Sequence, residues 1–317
     1  MPLDPFAIDP AKLVASIPVV GIVIALIGGL FLALGAQFQH RGVTVVEDRH
    51  GTGHKAGLNI GQLLRLFRSP WWALGTVLLG LAILCQLTSL GFAPIIVVQP
   101  LGVVALVITA VVNARVSHIK LNRQAIRAIA FCVGGIAIFV TVAAFVAQET
   151  VINAAQLLII LVILGVVVLL LGLAFAFFRK RFTAIFYIIS AGVLYGFVAT
   201  LAKVVINRVI SGNFEGLTVF AIVALLVAMA LGAYFVQTAY SVGSPDLVIA
   251  GLTVVDPLIA VSIGIVVLRE AADAPLWVLP VWIVAAAIAV YGVFQLARTR
   301  AAQDAAIKAE AAKNGHA

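Results

Sequence analysis

At 317 residues the length alone would suit one or two soluble domains, but 64% hydrophobic residues, 10% charged residues and a mean hydropathy of +1.21 lie far outside the soluble range. The composition therefore implies an all-α integral membrane protein, in contact with membrane lipids. A net charge of +8 would suit a nucleic-acid partner by number alone, yet the placement of the basic residues along the chain assigns it to topology and excludes that class.

The chain opens with "MPLDPFAIDPAKL", which lacks the basic start of a cleaved signal peptide, so the first span is expected to be retained. Apolar runs of about 20 residues, enough to cross roughly 30 Å of hydrocarbon as helix, fall at 16–38, 71–91, 93–112, 128–147, 154–178, 184–206, 217–239, 246–268 and 276–296. These predict nine spans. Between the first two, "RHGTGHKAGLNIGQLLRLFRSP" at 49–70 places Leu58, Leu63, Leu64 and Phe67 among Arg65 and Arg68, the pattern of an interfacial amphipathic helix or of a short tenth membrane element. The end, "ARTRAAQDAAIKAEAAKNGHA", reads as a solvated Ala-rich helix.

Sixteen of the 20 Lys and Arg residues cluster in alternate connections: loop 39–70, turn 113–127, the triplet Arg179-Lys180-Arg181, and the tail from Arg298. By the positive-inside rule these face the cytoplasm. The N-terminus is then outside, the C-terminus inside, and the cell membrane is the expected location.

The third span carries "VVQPL" at 97–101 and the eighth carries "VVDPL" at 254–258. Each follows a turn with Pro, "GFAPII" and "GSPDLV", and each turn follows a span ending near a Gln, Gln86 or Gln237. The expected organisation is a first repeat over 1–150 (spans 1–4, with cytoplasmic loop 39–70), a connecting fifth span over 151–181, a second repeat over 182–297 (spans 6–9) and a tail over 298–317. An odd number of preceding spans turns the second unit upside down, and inverted-topology repeats of this kind place a substrate site near the midplane between them.

Asp256 is the sharpest chemical signal. It falls near the middle of span 8, where insertion scales charge an acid about 2.5–3.5 kcal/mol, so it is expected to face a cavity or a partner and to suit proton or cation coupling. Pro257 and Pro100 each lack an N–H and displace the carbonyl four residues earlier, which is tolerated at membrane depth only beside protein or a water-filled cavity. Gln99, the positional counterpart of Asp256, is expected to line that cavity with Gln86, Gln237, Tyr195, Pro100 and Pro257. Lys203, near the end of span 6, either snorkels outward or serves as counter-ion for Asp256 or for an anionic substrate. Arg269, Glu270 and Asp273 read as a solvated turn. Cys85 and Cys132 read as small apolar core residues, and His50 and His54 lack the surroundings of a metal site. No metal and no cofactor is expected, and none of the enzyme motifs looked for (an Asp-rich prenyl-pyrophosphate motif, His-Glu-x-x-His, a nucleophile elbow, a phosphate loop) is present, so the chain is not expected to be an enzyme.

Spans 6–9, with "VVDPLIAVSIGIVVLRE" and its Pro257 and closing Glu270, resemble the EamA-type repeats of the drug/metabolite transporter superfamily. The first half, with "QHRGV", "WWALGTVLLG" and "GFAPIIVVQPLGVVALVITAVV", resembles the NIPA branch, known for magnesium transport. The resemblance implies an inverted-repeat carrier working by alternating access on a small-molecule or ion substrate. The primary expectation is a secondary transporter of a small metabolite, drug-like or amphipathic solute, coupled to protons or a cation through Asp256. A NIPA-like magnesium carrier, a lipid or lipid-linked sugar flippase with a lateral opening, and a non-transporting membrane partner are the alternatives; the pattern leaves room for a homodimer.

Overall fold

The computed structural model describes residues 18–50, 69–116, 123–150, 152–178, 183–242 and 245–314. All of its regular elements are α-helices: α1 Val19–His50, α2 Pro70–Phe92, α3 Ile95–Val116, α4 Arg123–Val146, α5 Ala154–Phe178, α6 Ala184–Ile210, α7 Gly216–Val242, α8 Pro245–Val266 and α9 Val278–Asn314. Among the described residues each of the nine holds a stretch long and apolar enough to cross a membrane. They coincide with the nine runs read from the sequence to within a few residues at either end, apart from the extensions of α1 and α9. The segment expected to form an interfacial helix over 49–70 falls mostly outside the described residues, as does the chain before Pro18. The tail is helical as far as Asn314, continuous with the last span.

Why these segments stop where they do follows from a few residues. Ser69-Pro70 opens α2, with the proline in the first turn, where its missing N–H costs nothing. Ala93 then leaves the helical region (φ −148°, ψ 152°), and Pro94 restarts the chain as α3. At the far end of α8 the break is sharper. Arg269 adopts φ 57°, the left-handed conformation that non-glycine residues take only when their surroundings hold them there, and this turns Glu270 back over α8.

Packing runs in a regular order. The α1 helix lies along α2 and α3, and α3 along α4; α6 lies along α7 and α8, and α8 along α9; the two sets meet where α3 touches α8 and α4 touches α9. The α3 and α6 helices are the most enclosed, whereas α2, α5 and α7 bury the least of their length. In α3 the residues Ile95, Ile96, Val97 and Val98 are wholly buried. The α5 helix, of mean hydropathy 3.4, exposes Leu158, Ile159, Val162, Leu169 and Leu170, which is the surface hydrocarbon requires.

With lipid as apolar as the side chains, helices associate by close packing rather than by water exclusion. Small residues therefore occupy the crossings. On α1, Gly21, Gly28, Gly35 and Gly42 recur every seventh residue and all face α2 or the residue that follows it: a Cβ at Gly28 would stand 2.9 Å from the Cys85 Cβ, and one at Gly42 2.7 Å from the Trp72 Cβ. Where α4 crosses α9, a Cβ at Gly135 would come 2.6 Å from both the Ala285 carbonyl oxygen and the Ala289 nitrogen, while one at Gly134 would meet nothing within 4 Å.

These neighbouring glycines give a paired test. Gly134→Ala should stabilise the detergent-solubilised protein by about 0.5–1 kcal/mol through helix propensity. Gly135→Ala should destabilise it by about 1–3 kcal/mol, because only backbone atoms stand in its way. Thermal unfolding that ranks the two variants the other way round would refute the close approach of α4 and α9.

Candidate transport cavity and its polar closure

Five helices, α1, α2, α3, α6 and α8, enclose a cavity of about 520 Å³. Its walls are mostly small or apolar: Ala25, Gly28 and Gly29 from α1, Ala82 and Leu90 from α2, Gly102 and Ala105 from α3, Val198 and Ala202 from α6. The polar groups on the wall are Gln86, Gln99, Tyr195, Thr253 and Asp256, and Asp256 is the one charged residue among them.

The backbone brings these groups together by close approach. On α6, Gly192 and Gly196 stand four apart and face α8: a Cβ at Gly196 would be 3.0 Å from the Asp256 carbonyl oxygen, and one at Gly192 would be 2.6 Å from the Val255 Cβ. This small-xxx-small pairing lays α6 against the turn of α8 that carries Asp256. Tyr195 lies between the two glycines in sequence, and its ring is backed by Gly232 of α7, where a Cβ would fall 2.9 Å from the Tyr195 Cε1. Pro257 follows Asp256 within a continuous α8, as Pro100 follows Gln99 within α3.

Two atoms of this wall are chemically unfinished. Gln99 Nε2 and Asp256 Oδ1 are both buried and without a hydrogen-bond partner. A buried polar group left alone costs about 1–3 kcal/mol, and such a group beside a cavity signals a ligand, an ion or water that completes it.

The residues singled out in the sequence divide as follows. Gln86, Gln99, Tyr195, Asp256 and Pro257 share the large cavity. Pro100 instead lines a smaller adjoining space of about 70 Å³ between α3, α4, α8 and α9, which also touches Val103, Thr253 and Pro257. Gln237 lines neither and is exposed on α7.

Lys203 neither snorkels outward nor faces Asp256. Its side chain is 2% exposed, and its Nζ donates to the Ala93 carbonyl oxygen at 2.9 Å while lying 3.0 Å from Glu149 Oε1 and 3.1 Å from Glu270 Oε1. The turn holding Glu270 is not solvated at that residue, whose side chain is 1% exposed. The reason lies at the start of α3. The break at Ala93-Pro94 leaves the first N–H groups of that helix without intrahelical acceptors, and Glu270 supplies them: Ile95 N–H donates to Oε1 at 2.9 Å and Ile96 N–H to Oε2 at 3.0 Å. The positive end of the helix dipole adds to the fit. Gly264 makes room for this, since a Cβ there would lie 3.1 Å from Glu270 Oε2.

Neighbouring hydrogen bonds to backbone carbonyls brace the closure. Gln148 N–H donates to the Glu270 carbonyl oxygen (2.7 Å), Thr150 Oγ1 to that of Leu268 (2.9 Å), and Gln156 Nε2 to that of Val267 (3.1 Å). Sequence reading missed Glu149 and the role of Glu270, although two signals pointed there: a lone Lys in a span demands a carboxylate, and a proline-broken helix start demands an acceptor.

The other cation of α6, Arg208, is also committed, donating from Nε to Thr218 Oγ1 at 2.8 Å in the first turn of α7. Among the described residues no basic side chain therefore reaches the cavity wall, and no cluster of three or more His, Cys, Asp or Glu side chains could hold a metal ion.

These helices, with a largely apolar cavity that carries a few polar groups inside an apolar exterior, define a multi-pass helical membrane protein. The chain is similar to an uncharacterized protein of Corynebacterium glutamicum, with 25% identity over 254 residues that cover 78% of this chain and 84% of that one. It is also similar to a probable magnesium transporter, NIPA4, of Arabidopsis thaliana, with 32% identity over 128 residues; the match takes in 40% of this chain and only 35% of the plant protein. No family model matches the chain, and no solved structure matches it.

Removing Lys203 separates the energetics of the closure from that of the cavity. Lys203→Met leaves Glu270 buried without its cation and should lower stability by about 3–5 kcal/mol, whereas Glu149→Gln, at a side chain 43% exposed, should cost under about 1 kcal/mol. Thermal unfolding of both variants in detergent checks the ranking, and equal losses would contradict the burial described.

Proposed function

We propose that this protein is a membrane transporter, a secondary carrier that binds a small solute in the cavity between α1, α2, α3, α6 and α8 and works by alternating access. The observation that carries the reading is the pair of unsatisfied buried groups, Gln99 Nε2 and Asp256 Oδ1, on one wall of a cavity of about 520 Å³. Membrane-embedded carboxylates are retained where they bind or move something.

The order of helix packing supports an inverted repeat. Helices α1–α4 and α6–α9 make the same succession of pairings, and five crossings separate α1 from α6, so equivalent helices would run in opposite directions. Binding sites of inverted-repeat carriers lie near the midplane at the junction of the units, and in this reading Gln99 and Asp256 supply that site. In this reading Asp256 is the coupling group, taking up a proton or cation as the solute is bound and released; Gln99, Gln86 and Tyr195 orient the solute.

A second reading, magnesium transport, draws on the similarity to the plant protein named as a probable magnesium transporter. Magnesium keeps several waters and needs only one or two protein carboxylates, so a single Asp256 among amide and phenol oxygens suits a hydrated ion. Both readings give the carboxylate the central part.

Reconstituted proteoliposomes test them together. Asp256→Asn should keep expression and unfolding temperature while reducing gradient-driven uptake at least ten-fold, a loss of about 1.4 kcal/mol or more. Uptake of magnesium reported by an entrapped indicator selects the second reading; thermal shifts with a panel of metabolites but not with magnesium select the first. Undiminished transport by the Asn variant would rule out the coupling role.

A further inference from the structure

One ammonium group ties four separate parts of the fold together. Lys203 sits on α6; its three acceptors belong to the joint between α2 and α3 (Ala93), to the connection between α4 and α5 (Glu149) and to the turn between α8 and α9 (Glu270). All three N–H groups of the ammonium are thereby used. This knot lies at one end of the cavity. Ala202 and Leu90 line the cavity, while Lys203 follows the first of these by one residue and Ala93 follows the second by three. The remaining lining residues of α1, α3 and α8 (Ala25 to Leu32, Gln99 to Ala105, Leu252 to Pro257) lead away from the knot.

The three attachments differ in how easily they part. Glu270 is 1% exposed and holds two backbone N–H groups besides Lys203, so its removal would strand three donors. The Ala93 carbonyl is backbone. Glu149 is 43% exposed; its carboxylate can exchange the ammonium for water with little loss, as partly exposed pairs are worth at most about 1 kcal/mol. Without Glu149 the remainder is self-consistent, one Lys with one Glu at the positive end of a helix.

We infer that Lys203 is the gate pin of the carrier, closing the Glu270 end of the cavity, and that the Lys203–Glu149 contact is the one that opens when the cavity turns to that face. This rests on the alternating-access reading above and adds to it where the gate is and which contact yields. By the distribution of basic loops the gated face is the outer one. The adjoining bonds of Gln148, Thr150 and Gln156 to residues 267–270 hold the connection and the turn together, so the Glu149 side chain parts from Lys203 while Glu270 stays on the ammonium.

Accessibility of the cavity from each face tests the gate without knowledge of the substrate. In full-length protein with Cys85→Ala and Cys132→Ala, Val198→Cys places a thiol on the cavity wall, and a membrane-impermeant maleimide is applied to one face of oriented vesicles at a time. Glu149→Gln should raise labelling from the face bearing Glu149 by up to about five-fold, the factor that loss of a partly exposed pair allows. Glu149→Asp should return it towards the parent rate. The double variant Lys203→Met/Glu149→Gln, in which Glu270 keeps its two N–H donors, should label faster still. Rates equal to the parent in both the Gln and the double variant would overturn the gate and leave the carrier reading standing. A thiol that neither face reaches in any variant would overturn both.

Discussion

The two N–H groups at the start of α3 and the carboxylate that receives them hold the rest of the molecule in order. A proline-broken helix start inside a membrane protein exposes donors that lipid cannot satisfy. Glu270 reaches Ile95 and Ile96 from the opposite half of the chain, and a buried carboxylate in turn demands a cation, which Lys203 provides. Each group is tolerable only because of the next. The chain of necessity runs from Pro94 through Glu270 to Lys203 and Glu149, and it fixes the most enclosed helices, α3 and α6, relative to the turn after α8.

With that end secured by paired charges, the cavity can afford to be incomplete. Lys203 and Arg208 are both committed elsewhere, so the wall holding Gln99 and Asp256 carries no internal counter-charge. A fold that satisfies the polar groups at one end and leaves two unsatisfied a few turns away separates a part whose charges are paired from a part whose polar groups are not. The glycines at the α6–α8 crossing serve the second part: they let α8 present Asp256 at backbone distance from α6 without filling the space in front of it.

Much of this fold is legible in the sequence because hydrocarbon imposes a length and a composition on every crossing, and among the described residues nine runs satisfy both. The central residues of the cavity are legible for a related reason: Gln99 and Asp256 are polar where polarity is expensive. What escapes is phase and distance. Gln237 lies on α7, whose apolar residues encircle it, so no periodic stripe says which way the amide points, and it points outward. Glu270 reads as solvated because a short charged turn usually is; its burial depends on residues 93–96, 149 and 203 arriving beside it, and nothing local records that. Arg269 is similar, since a left-handed residue that is neither Gly nor Asn leaves no mark in composition.

The glycine row on α1 has a mechanical consequence. Gly21 to Gly42 spans three seven-residue steps, about 32 Å at the helical rise, the thickness of the hydrocarbon layer. A seven-residue repeat keeps one seam facing one neighbour throughout, with the slight left-handed twist that such spacing imposes. Helices α1 and α2 are therefore zipped from one leaflet to the other, and their joint offers no side door. Any path between the lipid and the cavity would therefore lie between other helices.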